Sequence, residues 1–174
     1  MPCSVTNGRS LPCKSAVGGI KSVFFAPYTT TTRDLAVDSD GDVTLDDSVS
    51  FFQYHVKGNS SLETAINSSR ENGTTFYEST LSLTLTFLDK ATQEQIKLLA
   101  HSRPQVVVQD YNGNNFLVGK EHGVEVTGGT IVTGTGMAEL SGFTLTMTSQ
   151  ETAPPFFCTA APADDSSSAI NPTP

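Results

Sequence analysis

The chain has 174 residues, with 10 basic against 18 acidic side chains, a formal net charge of −8, 37% hydrophobic residues and no tryptophan. That length suits one domain with an ordinary buried core, and the acidity argues against a nucleic-acid binder, because phosphate contacts need Lys and Arg to displace counterions. No apolar run approaches the roughly 20 residues of a membrane-spanning helix, and Met1 to Arg9 lack the apolar stretch of a secretory signal, so the expected setting is cytoplasmic, without a membrane partner.

Met1 to Gly19 contain Pro, Gly, Asn and Ser with little periodicity, and read as an irregular arm that its surroundings must tie down. Ile20 to Tyr28 predict a first strand stopped by Pro27, and Thr29 to Arg33 a polar link. Asp38-Ser39-Asp40-Gly41-Asp42 is a turn, because Asp bonds its own backbone and Gly tolerates positive φ; Val43-Thr44-Leu45 follow it. Ser50 to Val56 form a strand with Phe52, Tyr54 and Val56 on one face, broken by Gly58-Asn59. Leu62 to Ser68 give a weaker strand, and Asn72-Gly73 is a hairpin dipeptide.

Thr75 to Leu88 form the most patterned segment. Leu81, Leu83, Leu85 and Phe87 alternate with Ser82, Thr84 and Thr86, which gives a strand one apolar and one hydroxyl-coated face. Fully extended it spans roughly 45 Å, so it must bend or project beyond the domain. The same pattern returns in Phe143 to Thr148. Two such strands predict an antiparallel sheet with one face on a core and one on water. Between them, Asp89 to Ser102 form a helix, with Ile96, Leu99 and Ala100 on one side, Asp89 or Thr92 as N-cap and Pro104 beyond its end.

Gln105 to Tyr111 and Asn115 to Gly119 are strands joined by Asn112-Gly113-Asn114. Val124 to Thr127 form a short strand that Gly128-Gly129 break or bulge, and Leu140 begins the last long strand. The pattern ends after Pro154-Pro155, and the Ala-, Pro-, Asp- and Ser-rich end reads as a tail, ordered where a neighbour holds it. The expected fold is mainly β: an antiparallel sandwich or barrel with one short flanking helix. Its divisions are an N-terminal arm over 1–19, a body over 20–157 and an extended tail over 158–174.

Motifs for chemistry are sparse. His55, His101 and His122 lie in no metal-ligand pattern. The Asp38 to Asp42 turn resembles a calcium loop, but position six is Val43 and position twelve Val49, where Gly and Glu are needed. Gly134-Thr135-Gly136 do not extend to a dinucleotide fingerprint, since Glu139 stands at the third glycine. No nucleophile elbow or phosphate-binding loop occurs. No enzymatic activity, cofactor or metal is therefore expected; an enzyme would announce itself by turnover lost on substituting one of the three histidines. Cys3, Cys13 and Cys158 fit no zinc spacing, and are either three thiols or a Cys3–Cys13 staple plus one thiol. The sequons at Asn59, Asn67 and Asn72 are chance matches in a chain rich in Ser, Thr and Asn.

Three blocks in order resemble the tail tube proteins of tailed bacteriophages. They are Cys3 to Arg9 with Pro12-Cys13-Lys14 and Val17 to Lys21; the alternating strand and helix over Thr75 to Ala100; and Val107 to Gly119 with Gly128-Gly129, Thr133 to Gly136, Gly142 to Thr146 and Glu151 to Pro154. The resemblance spans most of Gly18 to Phe157. It implies a homo-oligomer of hexameric rings stacked into a hollow tube, located in the virion tail and assembled in the host cytoplasm. The partners it implies are further copies, neighbouring tail proteins and double-stranded DNA in transit without specific binding. Ser82, Thr84, Thr86, Thr144, Thr146 and Thr148 become candidates for the bore lining, although either sheet could face inward. Cys3, Asn7, Arg9, Cys13 and Lys14 become candidates for an arm between rings. The alternatives are another virion component of similar fold (a tail terminator, neck or head-decoration protein) and a ligand-binding β-sandwich module.

Overall fold

The computed structural model describes residues 7–11, 13–46, 48–56, 58–166 and 170. Its elements are β1 (Ile20–Ala26), α1 (Thr30–Arg33), β2 (Asp42–Val43), β3 (Phe52–His55), β4 (Ser61–Ser69), β5 (Thr74–Thr86), α2 (Lys90–His101), β6 (Gln105–Asp110), β7 (Asn115–Val118), β8 (Glu125–Val132), β9 (Gly142–Glu151) and β10 (Phe156–Cys158). They form a six-stranded sheet in the order β2-β10-β7-β6-β1-β3 and a four-stranded sheet in the order β4-β5-β9-β8. Pairing is antiparallel throughout except between β10 and β2. The sheets do not close into a barrel, so the sandwich is the form the chain adopts.

The apolar faces of β5 and β9 meet the larger sheet. Leu81, Leu83, Leu85, Phe143, Leu145 and Met147 pack against Val23, Phe25, Val106, Val108 and Val118 in one core. The larger sheet is buried on its other face too. There Phe24, Phe51, Val107, Leu117 and Cys158 form a second core, covered by Leu35 before β2, Leu45 and Val49 after it, and Phe156 and Ala161 near the C-terminus. Strands covered on both sides carry consecutive apolar residues, which accounts for Val23-Phe24-Phe25 and Val106-Val107-Val108. We call this the covered sheet and the four-stranded one the open sheet.

Several elements depart from the sequence reading. The polar link at Thr29 to Arg33 is one turn of helix, closed by Arg33 and Asp34 amides donating to Thr29 and Thr30 carbonyls, each at 3.0 Å. Phe52 does not share the burial of Val56: it is 40% exposed on a marginal strand, while Phe51 of opposite parity enters the second core. The β4–β5 turn is a four-residue loop, 70–73, in which Gly73 but not Asn72 has positive φ. Phe87 leaves the apolar face: β5 ends at Thr86, and Phe87 turns to φ +70°, half exposed, with its amide on the Ser141 carbonyl at 2.8 Å. Of the two alternatives at Gly128-Gly129, the bulge is the one that forms: the register shifts between Val126 and Gly128, and β8 runs past the expected end at Thr127 to Val132. The prolines at 154 and 155 are followed by a further strand, β10, which contains Cys158, so the expected tail starts inside the covered sheet.

β5 projects, as its length requires. Its first three residues pair with β4 alone, since pairing with β9 begins at Tyr77. Across the open sheet, β4 faces β5 from Thr74 to Ser82, whereas β8 faces β9 from Gly142 to Thr148. The two marginal strands are thus displaced in opposite directions along the sheet.

Helix α2 is started by Asp89, whose carboxylate accepts the Thr92 amide at 2.9 Å and the Thr92 hydroxyl at 3.2 Å. Ile96 and Leu99 join the main core. Losing such a cap costs about 1 kcal/mol, so Asp89→Ala should lower stability by that order in denaturant titration, with the slope of the transition unchanged. Among the described residues, no helix is long and apolar enough to cross a membrane.

Candidate assembly surface

The register brings the hydroxyl-bearing residues together. On the face of the open sheet turned away from the core, Ser82 lies opposite Thr146, Thr84 opposite Thr144 and Thr80 opposite Thr148; Thr86 lies opposite Gly142. All six residues read from the alternation, Ser82, Thr84, Thr86, Thr144, Thr146 and Thr148, share this one face. β8 adds Thr130, whose hydroxyl is 2.6 Å from that of Thr144. Thr84 also donates to the Asn59 carbonyl at 3.0 Å, which fixes the loop before β4 against the sheet.

The face also holds residues that the sequence reading missed. Glu63 on β4 lies opposite Thr80, Glu125 on β8 opposite Thr148, and Glu78 opposite Gln150. The four strands contain neither a lysine nor an arginine, and their fourth acidic residue, Glu151, has the opposite parity, that of Met147. The surface therefore offers hydroxyls and negative charge to whatever lies against it. A phosphate backbone finds no cation there to replace its counterions.

The margins of the two sheets differ. β2 is covered on its outer side by a bridge from Val43 to Val37. β3 is covered by the C-terminal segment: the Asp165 carboxylate accepts the Phe51 amide at 3.0 Å, the Asp165 amide donates to the Phe51 carbonyl at 2.9 Å, and Asp164 accepts the Gln53 amide at 3.2 Å. On the open sheet, β4 and β8 have no strand partner on their outer sides among the described residues. Exposed margins are templates for pairing with another chain.

The described arm, 7–11 and 13–19, lies exposed, with Asn7, Arg9, Cys13 and Lys14 all on the surface and Leu11 97% exposed. It is rooted at the β6–β7 turn. Val17 and Asn112 exchange two hydrogen bonds, at 2.8 and 2.7 Å, and the Tyr111 amide donates to the Gly19 carbonyl. Asn112 is itself held by Asp110, whose carboxylate also accepts the Asn114 amide at 2.8 Å. Burial raises the Asp110 carboxyl, but these bonds outweigh it and leave the group below the usual carboxylate range. Cys3 lies outside the described residues, as does the Cys3–Cys13 staple.

Cys13 is exposed and Cys158 buried, and among the described residues neither is in a disulfide. Burial, reinforced by the Asp42 charge, pushes the Cys158 thiol up to about 12. Since the thiolate is the reactive form, alkylation at pH 8 should label Cys13 and spare Cys158 until denaturant is added, read by peptide mass spectrometry.

Other features have structural uses. The Asp38 carboxylate accepts the amides of Asp40 and Asp42, each at 2.9 Å, which shapes the turn that resembles a calcium loop. In the glycine-rich loop, Glu139 already takes the place an anion would need: its carboxylate accepts the Thr135 amide at 2.6 Å and the Gly136 amide at 3.2 Å, which lowers its own pKa. His55 lies on β3, His101 at the end of α2 and His122 in the β7–β8 turn. Glu121, His122 and Glu151 gather within 4.8 Å of one another, where Glu151 accepts the amides of Glu121 at 3.2 Å and His122 at 3.0 Å. A cleft of about 410 Å³ at the mouth of the sandwich is lined by Ile20, Leu62, Val108, Phe116, Pro155 and Asp110. The Asp110 carboxylate is occupied by its own turn, so the cleft presents no free charged anchor for a ligand.

No family model, curated protein or solved structure matches this chain.

Proposed function

We propose that the protein is a structural subunit that assembles through the open sheet into stacked rings forming the tail tube of a tailed bacteriophage, with the hydroxyl-bearing face toward the DNA path. The observation that carries this reading is a sheet whose strands hold no lysine or arginine and whose two marginal strands have, among the described residues, no strand partner on their outer sides. Strand parity supports it. β4, β5, β9 and β8 alternate in direction, so β8 of one copy meets β4 of a rotated copy antiparallel, the arrangement that short-range pairing favours. A head-to-tail contact of this kind, repeated about a rotation axis, is what a ring requires. A lining without Lys or Arg lets a duplex pass instead of holding it, because attachment requires counterion release.

Sedimentation velocity over a range of protein concentration, followed by negative-stain electron microscopy, tests the reading. Rings or tubes are expected. A monomer at every concentration and salt level, with intact β circular dichroism, overturns it.

A further inference from the structure

The covered sheet has a pairing-competent margin of its own at β3, and the chain closes it with its own C-terminal segment. The parity of β3 makes this specific. Gln53 pairs in register with Phe24, yet its amide points away from β1, toward Asp164. Phe51 likewise turns both its amide and its carbonyl outward, and Asp165 takes both. The contact therefore imitates an added strand: the Asp165 amide gives one backbone bond to the Phe51 carbonyl, and side-chain carboxylates take the place of the carbonyls that would accept the Phe51 and Gln53 amides. Ser166 steadies the arrangement, its amide and hydroxyl donating to the Asp164 carboxylate at 3.1 and 2.8 Å. Ala161 anchors the approach in the second core.

We propose that the segment from Ala161 to Ser166 is a guard for the β3 margin, a strand-pairing surface that fits an extended segment of a second copy, so that lateral association is confined to β4 and β8. The confinement to β4 and β8 rests on the assembly reading above; the guard itself does not. Two carboxylates also place negative charge along the margin, a device that discourages sheet-to-sheet addition. With the guard absent, both sheets would offer margins, and a subunit could join its neighbours in a second, non-closing geometry.

The test uses the full chain carrying Asp164→Ala and Asp165→Pro, which remove both carboxylates and the Asp165 amide. The expected result is a shift in sedimentation from the wild-type species to large polydisperse aggregates that bind thioflavin T. Adding Gln53→Pro removes an outward amide without touching the pairing with β1, a substitution that marginal strands tolerate, and should return the wild-type profile. An unchanged profile in the first variant, or aggregation that persists with Gln53→Pro, overturns the guard. Hydrogen exchange in the unmodified protein gives an independent reading: the Phe51 and Gln53 amides should be protected, and exchange at random-coil rates overturns the proposal even if the variant does not fold. A wild-type protein that is always monomeric would refute the tube and leave the guard standing on these comparisons.

Discussion

Replacing Gly142 by alanine should lower the thermal unfolding midpoint of the protein by about 6–12 °C, the shift that about 3 kcal/mol produces in a domain of this size. Gly142 opens β9 and pairs with Thr86 on one side and Val132 on the other. A Cβ there would meet the Leu85 carbonyl oxygen at 2.0 Å. The obstructing atom is backbone, so relief requires β5 and β9 to part where Leu85 lies opposite Phe143. That pair belongs to the main core. Gly128 provides the control, since a Cβ at that position meets nothing within 4 Å; Gly128→Ala should stay within about 0.5 kcal/mol of the parent. Equal effects of the two substitutions in calorimetry would refute the close approach.

Converting the open face from acidic to basic should create a DNA-binding surface. Glu63→Lys, Ser82→Lys and Thr148→Lys place three cations on neighbouring strands of that face, where the parent has none. Each phosphate neutralised steepens the dependence of log K on log salt by about 0.9, so three contacts predict roughly a 40-fold loss of affinity between 50 and 200 mM salt. The parent should bind no duplex at either salt concentration in fluorescence anisotropy. The location of the face can be read from the same variant. Duplex added after assembly should bind poorly if the face lines an enclosed channel, and along the whole tube if it lies outside. The second result would reverse the orientation proposed above.

How much of this was legible in the sequence depends on what each pattern reports. The alternation in β5 and β9 encodes one bare and one buried face, and it located all six hydroxyl residues on a common surface. The consecutive apolar residues of β1 and β6 encode burial on two sides, a signal that gives no direction for either side. Glu63, Glu78 and Glu125 were invisible as a group because their meeting depends on the order β4-β5-β9-β8, which joins segments distant in sequence. Gly128-Gly129 read as a break or a bulge, and pattern alone could not choose; glycine is also what permits the approach there, since a Cβ on Gly129 would meet the Thr144 carbonyl at 2.6 Å. Phe87 kept the alternation going in the sequence, while the chain reversal after Thr86 required a backbone that the alternation does not report. β10 was missed because three residues after two prolines carry too little pattern. The final aspartates read as tail composition, since nothing local says that the outward amides of Phe51 and Gln53, just before and within β3, await them.

The double covering of one sheet has a dynamic consequence. A layer wrapped on both sides and closed at both borders opens only when the whole domain unfolds, whereas a layer bare on one side with loose borders can breathe by smaller, cheaper excursions. In a lone subunit the surface proposed above to meet neighbours would therefore be the restless half, resting on a rigid one. In the proposed ring each contact would quiet it by adding the hydrogen bonds that the border lacks. A subunit would thus finish its own ordering at the moment of incorporation, and departure would require undoing that ordering as well as the contact itself.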